Sequence, residues 1–162
     1  MSEHDEQADL ISWLMDQLPD FPEIHPLFFA NPNGAWLAGG PAQRARQMNK
    51  LKAEGFTPGV ADLSFLCGRG GYLGMVLEAK TAERRRDVNG GLSDSQVEFL
   101  HAARQQGYHA AVGYGRVDLR HIAENYLAMP RTQDMIYKAL RMAEQGNYNG
   151  CIETLRQVVL VW

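Results

Sequence analysis

The chain has 162 residues, 45% of them hydrophobic and 22% charged, with a formal net charge of −3, enough for one domain with a real core. No apolar run approaches the roughly 18 residues of a membrane-spanning helix, and the acidic N-terminus lacks the basic-then-apolar pattern of a secretory signal. Cys67 and Cys151 form no CxxC pattern and the five histidines are scattered, which argues against a zinc cage and predicts a reduced, intracellular, cytoplasmic protein.

The distribution of charge is more informative than its sum. Residues 1–25 carry seven Asp/Glu and no Lys/Arg, whereas residues 41–86 carry nine Lys/Arg against four acids. A small negative net charge argues against a nucleic-acid partner. A basic segment surrounding acidic residues instead fits a phosphodiester substrate.

In chain order, the first predicted element is a helix from about Ser2 to Leu18, with Leu10, Ile11, Leu14 and Leu18 as its apolar stripe and Pro19 closing it. Extending the stripe backwards puts Gln7 and Glu3 on one face, so Glu3 is expected to point inward beneath the sheet edge. A first strand is expected around Pro26–Asn31, ending in the turn Asn31-Pro-Asn-Gly34. A second helix follows over Pro41–Glu54, made basic by Arg44, Arg46, Lys50 and Lys52, with Pro41 suited to a first turn and Gly55 to a stop.

Gly59-Val-Ala-Asp-Leu-Ser-Phe-Leu-Cys and Tyr72-Leu-Gly-Met-Val-Leu-Glu-Ala-Lys read as two strands, closed by Gly68-Arg-Gly-Gly71 as a three-residue hairpin loop. If Gly68 faces Tyr72, then Asp62 faces Glu78. One face then carries Leu63, Phe65, Cys67, Leu73, Met75, Leu77 and Ala79, expected in the core. The other carries Asp62, Ser64, Glu78 and Lys80, with Leu66 and Val76 nearer the turn. A slip of one residue would bury charge, so the register is well specified. Two carboxylates side by side need a proton or a cation, and an all-oxygen set suits magnesium or manganese. The plainer alternative is an exposed ion pair between Lys80 and one of the acids.

Thr81–Gly91, with Arg84-Arg-Arg86 and Gly90-Gly91, reads as a mobile loop beside this hairpin. Ser93-Asp-Ser-Gln96 is a capping box opening a third helix that Gly107 closes. A strand over Tyr108–Gly113, a helix to about Met129 and a break at Pro130 follow. Two more helices are expected from Thr132 onward, with Cys151, Ile152, Leu155, Val158, Val159 and Trp162 at helical spacing and Gly146-Asn-Tyr-Asn149 turning between them. Ala143–Tyr148 is similar to the corner of a tetratricopeptide repeat, but a single unit has no array to stack on. A helical hairpin that caps the domain or forms a dimer interface is the preferred reading.

The order of elements, with Asp62 and Glu78-Ala-Lys80 on the hairpin, resembles the VRR-NUC nucleases of the PD-(D/E)xK superfamily. The matching stretches are Glu3-x-x-x-Gln7, Asn31-Pro-Asn-Gly34, Gly55-Phe-Thr-Pro-Gly-Val-Ala-Asp62-Leu, Leu77-Glu78-Ala-Lys80 and Leu92-Ser93-x-x-Gln96. They span roughly residues 2–127. Ala61 stands where the family usually has proline, on the core face. The resemblance implies an α/β, restriction-endonuclease-like core with a mixed central sheet flanked by helices. We expect this core over 1–129, followed by a C-terminal helical hairpin over 130–162.

It also implies a metal-dependent DNA endonuclease, selective for branched, flapped or nicked structure, of the compact phage type that acts as a homodimer in repair or recombination. Glu3, Asp62, Glu78 and the Ala79 carbonyl would hold one or two magnesium or manganese ions, with Asp5 or Glu6 as alternatives to Glu3. Asp62, Glu78, Lys80 and Gln96 would be the catalytic set, although Gln96 is equally explained as a capping residue. Asn33, Arg44, Arg46, Lys50, Lys52, Arg84, Arg85 and Arg86 would contact DNA. Two other readings remain: a catalytically silent module that binds DNA or a partner, and a module that binds a partner through residues 131–162.

Overall fold

The structure, a computed structural model, describes residues 2–31 and 39–159. Asn33 and Trp162 therefore lie outside the described residues, as does the side chain of Val159. The elements are α1 (Glu3–Gln17), β1 (Phe28–Ala30), α2 (Pro41–Ala53), β2 (Leu63–Phe65), β3 (Met75–Lys80), α3 (Asp94–Gln105), β4 (His109–Tyr114), α4 (Arg116–Ala128), α5 (Thr132–Glu144) and α6 (Tyr148–Val159). The sheet order is β1-β2-β3-β4, antiparallel across the first three strands and parallel between β3 and β4. α3 makes the crossover that a parallel pair requires. Among the described residues no helix is long and apolar enough to cross a membrane.

Each sheet face acquires a cover. α1 begins at a reciprocal cap, in which the Ser2 hydroxyl accepts from the Asp5 N–H and the Asp5 carboxylate accepts from the Ser2 N–H. Its Leu10 and Leu14 pack with Leu63, Phe65, Leu77, Leu119, Ala123 and Tyr126, so α1 and α4 cover one face. α3 covers part of the other through Leu100, against Ala61, Val76 and Ala110. α2 buries none of its residues, consistent with its polar composition.

The hairpin register is the expected one: Leu63 faces Leu77, Ser64 faces Val76 and Phe65 faces Met75. Its length is not. The ladder ends at Phe65–Met75, and residues 66–74 form a longer loop. That loop sends its hydrogen bonds to the α4–α5 connection. Gly70 N–H donates to the Pro130 carbonyl, Gly71 N–H to the Thr132 hydroxyl, and Thr132 N–H to the Gly68 carbonyl. Leu73, expected in the core, is 48% exposed, because its N–H is drawn to the Gly107 carbonyl and the strand alternation ends before it.

The segment expected to be a loop beside the hairpin holds a 3₁₀ turn over Ala82–Arg86 and a kinked turn over Val88–Gly91, with Asn89 and Gly90 at positive φ. Tyr114 anchors it by donating its hydroxyl to the Gly90 carbonyl. The last two helices form as expected and pack chiefly on each other.

Candidate active site

The site forms where β2 stops and β3 continues. Extending the register by one pair puts Asp62 opposite Glu78, and the Asp62 carboxylate accepts the Ala79 N–H at 2.8 Å. This side chain takes the place of the next rung of the ladder. Gly115 N–H donates to the Lys80 carbonyl on the β4 side. Backbone groups of successive strand residues point to alternate edges, so the Ala79 carbonyl turns toward the edge that β2 has vacated.

Glu78 is fully buried. Its Oε1 accepts from Lys80 Nζ at 2.7 Å and from Gln96 Nε2, while its Oε2 is buried with no hydrogen-bond partner. Burial raises its pKa most, the hydrogen bond from Lys80 pulls it down and the Asp62 charge pushes it up, and together they carry it from 4.5 to about 7. For Lys80, burial works to lower the pKa, but the hydrogen bond and charge of Glu78, with the charges of Glu3 and Asp62, outweigh it, and the net direction is upward. The two shifts pull against each other, since a raised Lys80 presupposes an ionised Glu78. The 2.7 Å contact favours the ion pair at neutral pH.

Gln96 fills both of its candidate roles. Its Oε1 accepts the Ser93 N–H at 3.0 Å, completing the cap of α3, while its amide nitrogen reaches Glu78. α3 comes this close because Gly59, at φ +83°, has no side chain to strike it. A Cβ there would lie 2.4 Å from the backbone of Ser95.

The three N-terminal acids have different places. Glu3, half exposed, lies 3.5 Å from Lys80 Nζ, so Lys80 stands between it and Glu78. Asp5 belongs to the cap of α1. Glu6 is buried and accepts the Arg116 N–H at 2.6 Å, at the start of α4.

Hard oxygen donors from Asp62, Glu78 and the Ala79 carbonyl suit magnesium, which often uses only one or two carboxylates and keeps its waters. The partnerless Glu78 Oε2 fits that use. Among the described residues, no three His, Cys, Asp or Glu side chains group as a metal cage, and the Glu3 carboxylate faces Lys80 Nζ.

The basic residues divide into two groups. Arg44, Arg46, Lys50 and Lys52 are exposed along α2, and Leu51 of that helix shares a surface pocket with Asn31 beside the site. Arg84 is paired with Asp87 at 3.0 Å, and Arg85 with Asp118 at 2.6 Å while lying over the Tyr114 ring. Arg86 is exposed.

Sequence reasoning treated Asn31 only as part of a turn. Its N–H donates to the Asp62 carbonyl, and its amide donates to the Ala61 carbonyl and the Ser64 hydroxyl, which holds the end of β2. Placing a first strand beside the hairpin in register would have put Asn31 opposite Asp62.

No protein-family model matches the chain, and no curated protein does. Among solved structures, one described as a VRR_NUC domain protein superposes with a TM-score of 0.61 at 21% identity, covering 81% of this chain and 92% of that one. The chain has that protein's fold.

Proposed function

We propose that this chain, built on the VRR-NUC fold, is a metal-dependent endonuclease that hydrolyses phosphodiester bonds in DNA. The observation that supports it best is Glu78, a buried carboxylate with one oxygen held by Lys80 and Gln96 and the other without a partner, beside Asp62. A structural ion pair needs no such half-satisfied acid, whose burial is costly unless a cation completes it.

Asp62, Glu78 and the Ala79 carbonyl would hold the magnesium or manganese ion. When bound, the ion supplies Lewis acidity to the phosphate and lowers the pKa of the attacking water. Lys80, held as an ammonium by Glu78, orients that water by hydrogen bonding and balances charge on the scissile phosphate. Glu3 supplies counter-charge to Lys80, and Gln96 fixes the orientation of Glu78. The basic face of α2, with Arg86, tracks the DNA backbone without reading bases, so selectivity rests on DNA structure rather than sequence.

Two symmetry-related sites would cut opposite strands of a junction. The exposed Ile136 and Leu140 of α5 and Ile152 and Leu155 of α6 offer a surface for such a pair. Sedimentation showing only monomers at micromolar concentration removes this element of the proposal.

A catalytically silent DNA-binding module is the second reading, favoured by the ammonium of Lys80 standing between Glu3 and Glu78. One experiment separates the two. Plasmid and junction DNA are incubated with the protein in magnesium or EDTA, beside Glu78→Gln and Lys80→Ala. The nuclease reading expects cleavage only by the unaltered protein with metal. DNA bound but never cut would establish the silent module, and cutting that survives EDTA or either substitution would refute the mechanism.

A further inference from the structure

We propose that the groove between β2, β3 and α3 holds an unpaired base of the DNA strand being cut, one or two nucleotides from the scissile phosphate. The inference rests on the nuclease reading above and assigns that site a substrate feature.

In register, the row after Asp62–Glu78 on the same sheet face is Phe29–Ser64–Val76. α3 packs on part of this face, against Ala61, Val76 and Ala110. Phe29 and Leu66 stay 44% and 53% exposed. What remains is a groove of about 340 Å³, lined in part by Ser64, Leu66, Val76, Phe99 and Tyr108, a size suited to a small ring system.

Val76 lies two residues from Glu78, roughly 6.6 Å at 3.3 Å per strand residue. A DNA strand advances about 3.4 Å per nucleotide along a helix axis. A phosphate at the carboxylates therefore brings a base one or two nucleotides away to the groove.

The groove's chemistry suits that occupant. Its lining is mostly apolar and includes Phe99 and Tyr108, while Ser64 and Gln106 are polar residues within it. A nucleobase has the same division, a π-face with polar edges. The exposed cations of α2, a helix whose Leu51 shares a surface pocket with Asn31, supply the charge that a strand backbone needs. A base still paired in a duplex cannot pass between sheet and helix, so the groove selects substrates with a flap, gap or splayed end.

The test measures affinity for a single strand and for a duplex of equal length, in EDTA so that nothing is cut. It compares the unaltered protein, Phe99→Ala, and Leu66→Ala at an exposed position where folding is not at risk. Weakening of roughly tenfold on the single strand, with less than about twofold on the duplex, is expected for loss of one stacking contact. A strand carrying 2-aminopurine should change fluorescence on binding the unaltered protein and lose that change with Phe99→Ala. Single-strand affinity unchanged in both variants, or an equal loss on duplex, overturns the inference. It is also overturned if the variants dissociate a dimer while DNA affinity stays the same. Groove-dependent binding without any cleavage in magnesium refutes the nuclease and leaves the base site standing. Cleavage that requires Glu78 but ignores both groove variants does the reverse.

Discussion

Glu78 shows how one side chain couples stability to function. Its pKa in the folded protein, about 7, lies above its ordinary 4.5. Between those values the folded state holds a proton that the unfolded chain has released, so this group makes the metal-free protein less stable as pH rises through the window. Lys80→Met removes the hydrogen bond and the charge that restrain the shift, and the loss then extends to higher pH. The melting-temperature deficit of Lys80→Met should therefore be larger at pH 8 than at pH 5. Parallel profiles for the two proteins would contradict the coupling.

Gly59 acts on the same carboxylate from a distance. Gly59→Ala places a methyl group against Ser95 and puts a non-glycine residue at positive φ, at a cost of about 1–3 kcal/mol. Because Ser95 adjoins Gln96, the first turn of α3 should retreat and Gln96 should release Glu78. Cleavage should fall by more than the lost stability explains, measured at a temperature where both proteins are folded. Activity equal to the unaltered protein per folded molecule would argue against this route.

Among the elements, the loop over 66–74 has the least expected role. Instead of a tight hairpin it docks the C-terminal helices to the sheet. Thr132 is the centre of this joint, since its hydroxyl accepts from Gly71 N–H at 3.1 Å and donates to the Tyr72 carbonyl at 2.9 Å. Arg69 adds hydrogen bonds to Glu23 and to the Met129 carbonyl. Thr132→Val keeps the side-chain shape and loses both bonds, at about 1–2 kcal/mol. Amide exchange in α5 and α6 should quicken while α3 and β4 stay protected. Uniform change across the protein would show that the hairpin and the sheet open together.

At the scale of the whole molecule, charge is segregated. The acidic N-terminal segment supplies α1, and the exposed basic α2 stands at the edge nearest the site. Arg46 and Lys50, one turn apart, lie on the same face of α2. Replacing both with glutamine should leave stability nearly unchanged because both are exposed. If each contacts a phosphate, the dependence of log affinity on log salt should become shallower by about 1.8. An unchanged slope would move the DNA path away from α2.

Much of this arrangement was written locally in the chain. Alternation of apolar and polar residues over 62–66 and 75–80 set the hairpin register, because any slip would have buried charge. The capping box at Ser93 marked the start of α3 to within a residue, and the Asp62 and Glu-x-Lys pattern carried the resemblance to the fold. Other features depended on partners far away in sequence. The ladder ends early because Gly70 and Gly71 find hydrogen bonds at Pro130 and Thr132. Glu3, Asp5 and Glu6 were interchangeable as letters on one helix turn, and they separate only when Lys80, Ser2 and Arg116 each claim one. Arg84 and Arg85 read as free cations until Asp87 and Asp118 are brought to them. Local pattern decides which face a residue occupies, whereas only packing of distant segments decides which partner satisfies its charge.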